Sequence, residues 1–225
     1  MNTKSLIVIS LEKDLRELAN LKRAEASAWF FKTGKGQYGY GDKFIGVSVP
    51  VLRLVARKYR SLNFSDIENL LQSPIHEERL IALLILVDQF KLTDEKNRKR
   101  IYTFYLKNIS RVNNWDLVDL SAPNIVGIYL VDKSKNILYR LARSKNLWER
   151  RIAAVSTLAF IQKGDCKVTF KISELLLRDR EDLIHKAVGW MLREVGKIIS
   201  RQTLEGFLKV HYKQMPRTML RYSIE

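Results

Sequence analysis

Ile184-His185-Lys186-Ala187-Val188-Gly189-Trp190-Met191-Leu192-Arg193-Glu194-Val195 is the stretch on which the fold turns. Its apolar residues Ile184, Val188, Met191, Leu192 and Val195 recur at spacings of three and four, the period of a helix with one buried face. The same period appears elsewhere. Leu80, Leu83, Leu84 and Val87 form one stripe, and Ile152, Val155, Leu158 and Ile161 form another at threes. Short punctuations separate these runs: Ser73-Pro74, Leu92-Thr93-Asp94, Asp132-Lys133-Ser134 and Lys163-Gly164-Asp165. Ser65 followed by Glu68 has the pattern of a capping box opening a helix. Thr93 with Asp94 and Glu95 marks a second helix start, with acids in the first turn. No hairpin signal and no run of alternating strands is present.

One segment breaks the pattern. Gly34, Gly36, Gly39 and Gly41 are interleaved with Lys32, Lys35, Gln37, Tyr38, Tyr40 and Lys43, so residues 33–49 read as a loop. It matches neither a P-loop nor a dinucleotide fingerprint, because no strand precedes it and the spacing differs. Lys35 and Tyr38 on such a loop can lie along a phosphate backbone; a plain connector between helices is the alternative. Ser48-Val49-Pro50 then starts the next helix, with proline in its first turn. From residue 48 onward about ten short helices with tight connections are expected, a pattern of stacked helical pairs. Trp115, Trp148 and Trp190 lie 33 and 42 residues apart, close to the period of two-helix solenoid repeats. The expectation is an all-α chain, one domain over residues 1–225, curved so as to offer a concave face.

Composition narrows the function. The chain has 225 residues and a formal net charge of +16. Hydrophobic residues make up 46%, which excludes a wholly disordered chain. One cysteine, Cys166, excludes an intrachain disulfide and a cysteine-cluster metal site, and His76, His185 and His211 are scattered. No metal, nucleotide or flavin signature is present, so no cofactor is expected. The run Ser5 to Leu11 is too short for a signal peptide with its flanks, and no stretch approaches the ~20 apolar residues of a membrane helix. A reducing cytoplasm is the expected compartment. Such an excess of positive charge predicts a polyanionic partner, nucleic acid before an anionic membrane surface.

Three constellations carry chemistry. Trp115 and Asp119 are i and i+4 on one helical face, while Asp116 projects elsewhere as a candidate cap. Trp148 with Arg151, and Trp190 with Arg193, are i and i+3 pairs. Each fits either cation–π packing or an indole beside a phosphate-binding guanidinium. If helices stack in repeats, Trp115, Asp119, Arg151, Trp190 and Arg193 converge on one surface. Two indoles, a carboxylate and guanidiniums suit a sugar-phosphate substrate that develops positive charge at the sugar, as glycosidic cleavage does. No general acid is evident. None is needed where the leaving base is already a cation.

These residues resemble the bacterial DNA alkylation repair glycosylases of the AlkD type. The resemblance covers nearly the whole chain. It rests on Tyr38 to Pro50, His76-Glu77-Glu78-Arg79 before an apolar helix, and Asn114-Trp115-Asp116-Leu117-Val118-Asp119. It rests further on Trp148-Glu149-Arg150-Arg151, Lys186 to Glu194, and the tail Met215 to Tyr222. It implies a right-handed solenoid of HEAT-like helical repeats with a basic concave face. It also implies excision of cationic N3- or N7-alkylated purines from duplex DNA without base flipping. Asp119 matches the catalytic carboxylate, and Trp115 and Trp190 match the two cleft tryptophans. Arg151 matches a basic cleft residue near the lesion backbone. Arg193 falls on a motif arginine that either touches DNA or braces its helix. Trp148 belongs to the core. Asn114 departs from relatives that carry paired aromatics at this point. A nucleoid-associated monomer bound to alkylated double-stranded DNA is expected. The alternative is a non-catalytic duplex or branched-DNA binder, and relatives of that kind lack the carboxylate. A protein–protein adaptor is the third reading.

Overall fold

The computed structural model describes residues 4–225, so Met1, Asn2 and Thr3 of the opening segment lie outside the described residues. Helices carry the described residues. No strand is present among them, only an isolated parallel bridge between Lys43 and Ile75. The all-α expectation holds. The chain forms two compact units, one ending at Leu117 and one spanning Val118–Glu225. The boundary falls inside the helix Trp115–Ala122.

The first unit opens with α1 (Leu6–Glu17), capped by the Ser5 hydroxyl, which accepts from the Val8 amide. Val8, Leu11 and Leu15 are fully buried at helical spacing, so the opening apolar run is a packed helix. Next come α2 (Leu21–Phe30) and, after the long loop, α3 (Val49–Lys58), with Pro50 in the first turn as expected. The fourth helix, α4 (Phe64–Leu71), corrects the sequence reading. Its cap is Asn63, which accepts from the Asp66 amide, and Ser65 already lies inside the helix. Asn and Ser are equally good caps, and Asn63 stands at the position the helix needs. At α5 (His76–Lys91) the stripe reading was too narrow. Every residue from Leu80 to Val87 is buried, because α5 packs against both α3 and α4. Helix α6 (Glu95–Lys107) starts at the expected place, capped by Asp94.

The boundary helix is α7 (Trp115–Ala122). Pro123 then lies inside a continuing helix, where a missing N–H and a bulky ring would break the ladder. The chain absorbs it with a wide turn of π type over Pro123–Gly127 and continues as α8 (Ile128–Leu130). Then follow α9 (Asn136–Ala142), α10 (Leu147–Ser156), α11 (Leu158–Ile161) and α12 (Lys167–Leu176). The last three are α13 (Asp182–Ile198), α14 (Arg201–His211) and α15 (Arg217–Ile224). Helix α13 is central to this unit, packing against α10, α12, α14 and α15. Its buried face is Ile184, Val188, Met191, Leu192 and Val195, the stripe read from sequence. Gly189 lets α15 approach, since a Cβ there would lie 2.5 Å from Tyr222 Cβ and 2.6 Å from the Met219 carbonyl. Trp148 is buried in the core, as expected.

Candidate functional site

In the first unit the Gly-rich segment is fastened to the start of α5 by buried polar groups. His76, Glu77, Glu78 and Arg79 are all buried, an unusual position for four consecutive polar side chains. The Glu77 carboxylate accepts from the Ile45 amide at 3.1 Å and from the Gly46 amide at 2.7 Å. Gly46 has φ +81°, and a Cβ there would stand 2.1 Å from the Asn20 carbonyl, so only glycine fits. Arg79 donates to Asp42 at 2.7 Å and to the Ser73 carbonyl at 3.0 Å. His76 bridges Asp42 at 3.1 Å and Asp116 at 2.7 Å. Burial presses the His76 ring toward neutrality. The Asp116 charge and the bonds to both carboxylates outweigh it and raise the pKa to about 9, so at neutral pH both ring nitrogens donate. Burial works against the Asp42 carboxylate too, but His76, Arg79 and Asn114 together hold it below the usual carboxylate range.

This cluster carries an aromatic stack. Phe31 lies face to face with Trp115, 5.0 Å between ring centres and 8° between planes. Phe44 stacks on Phe31 at 5.0 Å and on the His76 ring at 4.6 Å. Phe30 meets Trp115 edge-on at 5.9 Å. Trp115 itself is half-buried at the first position of α7, where the Asn114 side chain accepts its amide. Lys35 and Tyr38 sit on the same loop, Lys35 exposed and Tyr38 half-buried. Asp116 is not a free cap. Its carboxylate takes the Leu117 amide at 2.8 Å as well as His76. The sequence reading missed Phe31 as the ring that Trp115 rests on, and missed the linked cluster of Asp42, His76, Asp116, Glu77 and Phe44 around it. The signal was present in His76-Glu77-Glu78-Arg79, a polar quartet in front of an all-apolar helix that had to be satisfied from elsewhere.

In the second unit Asp119 and Arg151 meet. Arg151 Nε donates to one Asp119 oxygen at 2.9 Å, and a terminal nitrogen donates to the other at 2.7 Å, a two-pronged pair. Its remaining terminal nitrogen donates to the Leu183 carbonyl at the start of α13. The arginine side chain is 6% exposed and the Asp119 side chain 17%. The guanidinium therefore holds both carboxylate oxygens in place. Neighbouring Arg150 faces a different partner, Asp179, at 2.6 Å and 3.2 Å. Trp190 on α13 is half-buried against Ile161, Met191 and Val195. Arg193, one turn on, keeps 28% of its side chain exposed and stands 3.8 Å from Glu194. Its Nε is buried without a hydrogen-bond partner. With Lys197 and Arg201 it lines a cavity of about 450 Å³.

A helical chain of strongly basic composition defines a broad class. The family is narrower. The DNA alkylation repair enzyme family model matches residues 11–225, and the chain belongs to that family, which gives it a role in DNA alkylation repair. Among solved structures, a predicted DNA alkylation repair enzyme from Enterococcus faecalis shares the fold with a TM-score of 0.69. The match has 18% identity and covers 91% of this chain and 94% of that one. No curated protein matches the sequence. No helix among the described residues is long and apolar enough to cross a membrane.

Proposed function

We propose that this chain is a DNA glycosylase that hydrolyses the N-glycosidic bond of cationic N3- or N7-alkylated purines in duplex DNA, without flipping the base. The observation that carries the reading is the Asp119–Arg151 pair, a carboxylate held through both oxygens by a buried guanidinium, on a side chain 17% exposed. An ionised carboxylate accepts protons and stabilises positive charge; it donates nothing. That chemistry suits a leaving base that needs no proton. As the C1′–N bond breaks, its electron pair moves to the purine, which departs neutral. The sugar becomes oxocarbenium-like, and Asp119 stabilises it and orients the attacking water. The water oxygen bonds to C1′ and its proton passes to solvent.

In this reading Trp115 and Trp190 each contact the lesion's sugar-phosphate. Arg151 adds positive charge beside the lesion backbone, and Arg193, Lys35 and Tyr38 contact the flanking strand. A net charge of +16 supports duplex binding by counterion release. The protein works as a monomer and needs no cofactor. Leaving the base in the stack would set it apart from most enzymes that act on bases.

The test is incubation with N-methylated duplex DNA and detection of free 7-methylguanine or 3-methyladenine. Asp119→Asn keeps an acceptor for Arg151 but removes the charge. It should slow release by ~100-fold or more while duplex affinity stays within a few-fold. Release at the wild-type rate removes Asp119 from the mechanism. Tight binding with no free base at any protein excess leaves the non-catalytic DNA-binding reading.

A further inference from the structure

His76 joins two separate segments through one ring. Its Nδ1 meets Asp42 of the loop at 3.1 Å, and its Nε2 meets Asp116 in the first turn of α7 at 2.7 Å. The face of the ring lies 4.6 Å from Phe44 and 5.0 Å from Phe31, and Phe31 lies flat on Trp115. The same side chain thus fixes the helical turn from which the indole emerges and the rings on which it rests. Filling space would not require this. An apolar residue of similar size would leave two buried carboxylates facing a hydrocarbon wall.

We propose that His76 is a positioning residue, which seats the Trp115 indole through Asp116 on one side and through the Phe31–Phe44 stack on the other. The consequence for catalysis rests on the glycosylase reading; the placement of the indole does not. The charged groups facing the ring are Asp42 from the loop, Asp116 from α7 and Arg79 from its own helix. Ordinary carboxylates and guanidiniums do not titrate between pH 7 and 10, and ordinary tyrosines and lysines only from about 10, so a midpoint near 9 belongs to the imidazole. Losing its proton removes one of the two donors, and one carboxylate is left facing a lone pair.

The experiment is fluorine NMR on the full chain labelled with 5-fluorotryptophan, with the Trp115 line identified by its loss in Trp115→Phe. In the wild type that line should move with pH at a midpoint well above that of a free histidine. His76→Asn and His76→Gln, whose amides replace one ring nitrogen each, should shift the line and abolish its titration, while the Trp190 line stays. The single-turnover rate of base release should fall ~10-fold in these variants with little change in duplex affinity. A Trp115 line that ignores both pH and the two substitutions overturns the proposal. If neither variant folds, the wild-type titration decides alone. If the wild type releases no base, the glycosylase reading fails while the NMR result still judges the seat.

Discussion

Asp42 and Asp119 are both carboxylates paired with a buried arginine, yet they are built for opposite ends. Around Asp42, Arg79 and His76 of one helix and Asn114 of the connection before α7 supply donors, and the side chain is 7% exposed. Around Asp119, one guanidinium grips both oxygens and the side chain is 17% exposed. The closed cluster uses its charge to hold a loop against a helix. The second pair has both carboxylate oxygens on one guanidinium and leaves 17% of its aspartate side chain exposed, against 7% at Asp42. A buried, fully bonded charge stabilises or specifies a structure, whereas an oriented but accessible one can stabilise charge that develops during a reaction.

The comparison breaks most directly on stability. Asp42→Ala strands the buried His76 and Arg79 cations, and should cost about 3–5 kcal/mol in urea unfolding. Asp119→Ala should cost less, because it takes the carboxylate from one buried cation, Arg151, where Asp42→Ala takes it from two. Equal losses at the two positions would show that they are built alike.

A smaller effect is expected from pH. The His76 pKa is raised from 6.5 to about 9, so its contribution to stability is complete below about pH 6.5 and disappears as pH rises through about 9. The loss should be on the order of 3 kcal/mol, because each tenfold gain in proton affinity on folding is worth about 1.4 kcal/mol. Asp42 acts in the other direction, because its lowered pKa removes stability only as the solution turns acid. Melting temperatures between pH 6 and 10 check this, and a flat profile in the wild type would contradict it. His76→Gln should flatten the alkaline limb.

The smallest effect is expected at the loop. Lys35→Ala should weaken duplex binding uniformly across sequences and lower the salt slope by about one, as loss of a phosphate contact does. A salt titration of affinity measures it. An unchanged slope would return Lys35 to the role of a solvated connector residue.

Much of the fold was legible because helical burial writes itself into spacing. The stripe Ile184 to Val195, the breaks at Ser73-Pro74 and Lys163-Gly164-Asp165, and the loop at 33–49 appear where the sequence puts them. Trp148 reads as core and is core. What spacing could not convey is which polar groups find each other across long stretches of chain. Asp42 and Asn114 are 72 positions apart, and Arg151 and Asp119 are 32 apart. No local rule links them. The cap at α4 failed for a related reason: Asn63 and Ser65 are equally good caps, and packing of the buried face chose between them. Pro123 carried no sign that its helix would continue, because a wide turn of π type depends on neighbours to hold it.

Gly189 sits directly before Trp190, with α15 resting on it closely enough that no side chain fits between. The last helix therefore works as a keel beneath the ridge that bears the indole. Position 189 becomes a thickness gauge: alanine there, or serine, would wedge the two helices apart and tip the neighbouring ring by a fraction of its own width. An engineer wishing to retune that half of the molecule without touching any charge would begin with this hydrogen atom.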